Sequence, residues 1–155
     1  MILYHGTNID FQEIKLELCT PNKDFGKGFY LTPLVARARE RAKDRCEREQ
    51  KGTPVVQKYE FNEASLGGVS VMTFASTNVE WLDFILENRN KKCKQQHPFD
   101  IVIGPVADDG VITSISLYEA RVITRAELIE RLKYPKPYIQ YCFCTQRAID
   151  LLSRI

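Results

Sequence analysis

The sequence predicts an α+β domain, and three observations carry that expectation. Short apolar runs of strand length recur along the chain, among them Ile2-Leu3-Tyr4, Pro54–Phe61, Val69–Phe74, Ile101-Val102-Ile103 and Tyr138–Cys144. Helical patterns lie between some of these runs but not others, so the regular strand–helix–strand rhythm of a doubly wound sheet is missing. Gly26-x-Gly28 precedes a strand instead of joining a strand to a helix, which makes it a poor dinucleotide fingerprint of the Rossmann kind.

The elements follow in order. Met1–Thr7 reads as a strand that ends at His5-Gly6-Thr7. Phe11–Cys19 alternates loosely and gives way to the turn-rich Thr20-Pro21-Asn22-Lys23-Asp24. Two glycines around Lys27 let the backbone bend before the aromatic strand at Phe29-Tyr30-Leu31. Thr32-Pro33 predicts a helix start, with threonine as cap and proline in the first turn, running to about Lys51. On that helix Val35, Ala38, Ala42 and Cys46 form a narrow face of small residues, and Arg37, Arg41, Arg45 and Arg48 form a second stripe. The stripe is either a solvated face or a surface for an anion.

Further on, Thr77-x-x-Glu80 reads as a capping box whose helix turns Trp81, Leu82, Ile85 and Leu86 inward. Asp100–Pro105 reads as a buried strand, and Asp108-Asp109-Gly110 as a turn. Thr124-x-x-Glu127 caps a helix over Arg125–Leu132. Tyr134-Pro135-Lys136-Pro137 reads as a stiff connector. A last strand, Tyr138–Cys144, precedes a helix capped by Thr145 and running to Arg154.

The chain has 155 residues, 44% hydrophobic and 27% charged, as expected of one globular domain over residues 1–155. A domain of this size buries roughly 70% of its unfolded surface and needs no metal or disulfide to fold. The formal charge of +2 does not point to nucleic acid or an anionic membrane. Five cysteines and two histidines show no zinc-type spacing, so no metal is expected. Cys142 and Cys144 are two apart in a strand and read as small side chains on one face. Reduced thiols, the lack of a visible signal segment and the lack of a long apolar run suggest a cytoplasmic protein, or an effector delivered without a signal peptide.

Three places hold polar residues that a purely structural chain does not need. They are His5-Gly6-Thr7 at a strand end, the glycine-flanked segment from Phe25 to Tyr30, and Gln140 in an otherwise apolar strand. Each has a structural alternative: a satisfied histidine, a buried tyrosine, a solvent-facing glutamine.

Together these segments resemble the ADP-ribosyltransferase superfamily, in the His–Tyr–Glu branch shared by diphtheria toxin and the poly(ADP-ribose) polymerases. His5-Gly6-Thr7 matches that branch's H-G-[ST] element, and Phe25-Gly26-Lys27-Gly28-Phe29-Tyr30 matches its F-G-K-G-[IF]-Y element residue for residue. Gln140 stands where the branch carries glutamate. The whole chain is also similar to a bacterial group of ADP-ribosyltransferase-like domains, through His5–Thr7, Asp24–Thr32, Trp81–Phe84, Asp100–Asp109 and the late glutamine.

The resemblance implies two packed, mostly antiparallel sheets with flanking helices and a cleft that takes NAD as substrate. It implies that the Gly6 backbone holds the nicotinamide carboxamide and that His5 bonds a ribose hydroxyl of the adenosine half. Tyr30 would stack on the nicotinamide ring. The third residue would bond the 2′-hydroxyl of the nicotinamide ribose, where positive charge develops during cleavage. Thr7, Phe25, Gly26, Lys27, Gly28 and Arg41 fall within or beside the same NAD-binding elements.

Two departures matter. Gln140 carries no charge and accepts no proton, which argues for slower chemistry, mono- rather than poly-ADP-ribosylation, or help from Glu119 or Asp109. Arg41 stands where relatives place an aromatic ring that completes the nicotinamide sandwich. The expected activity is mono-ADP-ribosylation of a protein or nucleic-acid acceptor, as a toxin or defence effector with an antitoxin or inhibitor as partner. The alternatives are a catalytically weak or inactive NAD or ADP-ribose binder and an NAD glycohydrolase. The acceptor lies in loops that vary freely, beyond what the residues specify.

Overall fold

A computed structural model describes residues 1–133 and 137–155. In chain order the elements are β1 (Ile2–Thr7), β2 (Phe29–Leu31), α1 (Val35–Glu49), β3 (Val55–Phe61), β4 (Val71–Thr73), α2 (Val79–Arg89), β5 (Ile101–Pro105), α3 (Asp109–Glu119), α4 (Arg125–Arg131), β6 (Ile139–Phe143), α5 (Gln146–Ile149) and β7 (Leu152–Arg154). Short 3-10 turns occupy Leu16–Leu18 and Glu63–Gly68. The architecture is α+β. Of the connector read at residues 134–137, residues 134–136 lie outside the described residues.

The strands form two sheets, one ordered β1-β3-β7 and the other β2-β6-β5-β4. All pairings are antiparallel except β4 with β5. Strand alternation sorts the side chains. Leu3, Phe29, Leu31, Tyr59, Phe61, Ile101 and Phe143 meet in one buried core between the sheets. The opposite face of the second sheet offers Val102 and Cys142 to Phe25, Trp81, Leu82, Ile85, Val111, Ile115 and Leu128, which form the other core. Each fully buried Leu, Ile or Phe contributes about 1.5–3 kcal/mol, so both cores count heavily in the stability. Trp81 satisfies its indole N–H with the Pro105 carbonyl at 3.0 Å.

Several sequence expectations need correction. Thr32 does not cap α1: it bridges to Tyr4, its hydroxyl takes the Leu34 N–H, and the helix begins at Val35 and ends at Glu49. Asn78 caps α2 through the Trp81 N–H, whereas the Thr77 hydroxyl donates to the Leu132 carbonyl. Asp108 is not simply a turn residue but the N-cap of α3, which the sequence reading missed. Thr124 and Thr145 do cap as expected, but the helix after Thr145 stops at Ile149 and the chain returns as β7. Among the described residues no helix is long and apolar enough to cross a membrane.

Candidate functional site

The two sheets touch edge to edge at one place. Tyr4 on β1 and Thr32 after β2 exchange both backbone bonds, at 2.8 and 2.9 Å, and the contact is an isolated bridge. Backbone groups alternate sides along a strand, so the Gly6 amide and carbonyl turn to the same side as those of Tyr4. Beyond the bridge no ladder continues, and β1 and β2 form a fork with Gly6 on one arm and Tyr30 on the other.

His5 spans this fork. Its Nδ1 lies 2.8 Å from the Tyr30 carbonyl. A carbonyl only accepts, so Nδ1 carries the proton and Nε2 is left as an acceptor. Nε2 has no partner within the described residues. No sealed side-chain nitrogen or oxygen there lacks one, so Nε2 is open to solvent. The ring packs against Phe29 with centroids 4.3 Å apart and meets the edge of Phe11 at 5.9 Å. Burial pulls its pKa down to about 4, against the pull of the Tyr30 carbonyl and with help from Arg45 and Lys23. The imidazole is neutral at pH 7.

Tyr30 and Gln140 share one face of the second sheet. Tyr30 pairs in register with Cys142, which places Gln140 one diagonal step away on the same side. The Tyr30 hydroxyl donates to the Gly26 carbonyl at 2.7 Å and accepts the Phe25 N–H at 3.0 Å. The Lys23 ammonium sits 5.1 Å from the Tyr30 ring centroid, within cation–π range. Gln140 is only 8% exposed, yet its amide has no hydrogen-bond partner among the described residues and is reached by solvent. Its cross-strand neighbour is Gly104, which adds no side chain beside it.

The arginine stripe of α1 rims this face in part. The Arg37 guanidinium lies 4.0 Å from the Tyr138 ring centroid and also pairs with Glu40 at 2.7 Å. Arg45 pairs with Glu49 at 2.9 Å. Arg41 is exposed with no such partner, and its charge reaches Lys23 and Asp24.

The remaining predicted residues have structural duties. A Cβ on Gly6 would come within 2.0 Å of the Ala38 carbonyl oxygen, so this glycine lets α1 lie directly on β1. The buried Thr7 hydroxyl is committed to the Ile9 backbone. Phe25 is fully buried, and Gly26 has φ of +80°, a turn that favours glycine. A Cβ on Gly28 would meet the Cys142 sulfur at 2.5 Å. Lys27 points elsewhere, its ammonium toward the Glu17 carbonyl.

A cavity of about 880 Å3 is lined by Lys27, Phe84, Gln96, His97 and Cys144, among others; His5, Gly6, Tyr30, Arg41 and Gln140 take no part in it. Sequence reading found neither His97 nor the Lys23 contact with Tyr30, because both depend on how loops pack. Among the described residues no group of three or more His, Cys, Asp or Glu is placed to hold a metal ion.

No curated protein and no solved structure is significantly similar to this chain. A family model described as a protein of unknown function, DUF3990, matches residues 1–153, and the chain belongs to that family.

Proposed function

We propose that the β1–β2 fork binds NAD and that the chain is a mono-ADP-ribosyltransferase, acting on a macromolecular acceptor. One observation carries this reading. Gln140 is buried with an unpaired, solvent-reached amide on the same sheet face as Tyr30, which in turn faces Gly6 across the fork. A ligand hydroxyl arriving there meets an amide that holds no protein partner and has only water to exchange.

In this reading the nicotinamide carboxamide pairs with the Gly6 amide and carbonyl, and the ring lies on Tyr30. The neutral His5 offers Nε2 to a ribose hydroxyl. The Gln140 amide oxygen accepts the 2′-hydroxyl of the nicotinamide ribose. As the nicotinamide leaves with the bonding pair, the ribose becomes cationic and that hydroxyl more acidic, so the bond to Gln140 strengthens in the transition state. The acceptor's nucleophile then bonds to the ribose carbon and loses its proton. Arg41, exposed and within electrostatic reach of Lys23, supplies positive charge for the pyrophosphate.

A second reading, NAD binding without turnover, is favoured by the missing carboxylate. Among the described residues no carboxylate, Asp109 and Glu119 included, hydrogen-bonds Gln140. Incubating the protein with NAD labelled on the adenylate and a bacterial lysate separates the readings. Label on a macromolecule with nicotinamide released supports the transferase. Nicotinamide release without label transfer indicates a glycohydrolase, and binding with no release indicates the silent binder.

A further inference from the structure

We propose that Cys144 is a thiol–disulfide exchange site, opening on the cavity of about 880 Å3, where a small-molecule disulfide modifies the chain and loosens the turn that holds Tyr30. The inference does not depend on NAD binding at the fork.

The site is a cluster, not an isolated thiol. The Cys142 and Cys144 sulfurs are 3.4 Å apart, and His97 Nε2 lies 3.8 Å from the Cys144 sulfur. His97 Nε2 also contacts the Phe25 carbonyl at 2.8 Å, while its Nδ1 accepts the Phe99 N–H at 3.2 Å. A carbonyl cannot donate, so Nε2 bears the proton. Neutral or protonated, His97 therefore presents a donor to Cys144 and cannot act as its base. Cys142 lies deeper, and burial pushes its thiol well up, so it keeps its proton.

The Cys144 thiolate thus accepts the Cys142 S–H and shares the His97 Nε2–H with the Phe25 carbonyl. The Cys142 S–H holds the Cys144 pKa down to about 6, opposed by burial, helped by His97 and opposed by the charge of Asp100. Around the cavity Lys27, Lys91 and Lys94 outnumber Glu17 and Glu87, which suits a disulfide carrying carboxylates. The volume falls within the usual range for small-molecule sites.

The exchange is balanced without a further reagent. The Cys144 thiolate attacks one sulfur of the incoming disulfide, and a new S–S bond forms as the old one breaks. The other half leaves as a thiolate with the bonding pair and takes a proton from water. Cys144 is oxidised and the departing half is reduced.

Both cysteine sulfurs lie 3.9 Å from the Phe25 carbonyl, and the Phe25 amide is the one that the Tyr30 hydroxyl accepts. A substituent on Cys144 crowds the same carbonyl and its His97 donor. The modification is therefore felt at the Phe25–Gly26 turn.

The test uses oxidised glutathione at pH 6, with adducts mapped by peptide mass spectrometry and Cys19 and Cys46, which lie outside the cavity lining, as internal references. A thiol of pKa about 6 has on the order of a hundred times more thiolate at pH 6 than an ordinary one, and its weaker nucleophilicity removes about ten-fold of that advantage. Cys144 should react about ten-fold faster than the references at pH 6, and only about two-fold faster at pH 7. Equal or slower reaction of Cys144 at pH 6 would overturn the proposal. Cys142→Ala should slow Cys144 at pH 6; if that variant fails to fold, the comparison within the unmodified protein decides alone. In the adduct, hydrogen exchange at the Phe25 amide should accelerate about ten-fold, as expected when one hydrogen bond is weakened. Unchanged exchange would sever the link to Tyr30.

Discussion

His5 and Tyr30 are joined across the β1–β2 fork by one hydrogen bond, from Nδ1–H to the main-chain carbonyl, 2.8 Å long. The bond fixes the imidazole as an acceptor at Nε2, while burial of the ring outweighs the opposing pull of the carbonyl and lowers its pKa. In the unfolded chain the imidazole titrates near 6.5, in the folded protein near 4, so the unfolded state binds more protons in between. Stability should therefore be complete above about pH 6.5 and fall as the pH drops from there towards 4. Discounted for the open edge of the ring, the loss is about 1–3 kcal/mol. Imidazole resonances of His5 that shift with a midpoint near 6.5 would contradict this. His5→Ala should weaken NAD binding while removing the pH effect.

Tyr30 separates two roles that the sequence could not. Its ring is the stacking surface in the proposed reading, and its hydroxyl holds the Phe25–Gly26 turn through two bonds. Tyr30→Phe should cost about 1–3 kcal/mol of stability, because the Phe25 N–H and Gly26 carbonyl lose their partner, with NAD affinity reduced modestly. Tyr30→Ala should lose both stability and most of the affinity. Equal affinity losses in calorimetry for the two variants would mean that stacking is not the contact.

Gly6→Ala is expected to destabilise severely. The added methyl would sit 2.0 Å from the Ala38 oxygen and 2.9 Å from the Ala42 nitrogen, both main-chain atoms in the middle of α1. The helix must lift off β1, at a cost of about 3 kcal/mol or more. A thermal melting temperature within a degree or two of the parent's would show that α1 does not lie on β1 as described.

Asp100 ties the end of the second sheet to the segment after β6. It is buried and accepts from the Ser70 N–H and hydroxyl, the Thr145 hydroxyl and Arg147 Nε. Burial alone would raise its pKa, but these donors hold it down to about 2. Its contribution is present above about pH 4 and is lost as the pH falls through 2. Asp100→Ala should cost about 1–3 kcal/mol in denaturant unfolding, because the Ser70 and Thr145 donors lose a buried acceptor, while Ser70 and Arg147 are exposed enough for water to replace part of it. A loss below about 0.5 kcal/mol would contradict that role.

Local signals were legible in the sequence where one segment suffices to define them. The strand at Ile101–Pro105, the caps at Thr124 and Thr145 and the turn before Phe29 follow from patterning and side-chain chemistry. α3 was not, because Asp108-Asp109-Gly110 has the composition of a turn and its capping role shows only once Val111 donates to it. Thr77 and Asn78 both qualify as caps, and a contact with distant Leu132 decides between them. Gly6 reads as a ligand-facing residue, yet its missing side chain makes room for α1; only its backbone faces the fork. The His97–Cys144 contact joins residues 47 apart in the chain and leaves no local trace.

The central claim concerns Gln140, whose unpaired amide lies beside Tyr30 on one sheet face. Nicotinamide release from NAD, measured side by side for the unmodified protein and Gln140→Ala, tests it most directly. The account predicts that the unmodified protein releases nicotinamide and that Gln140→Ala is slower by about 10²–10³, with a smaller change in NAD affinity. Equal release by both proteins, or none by the unmodified protein, would contradict it.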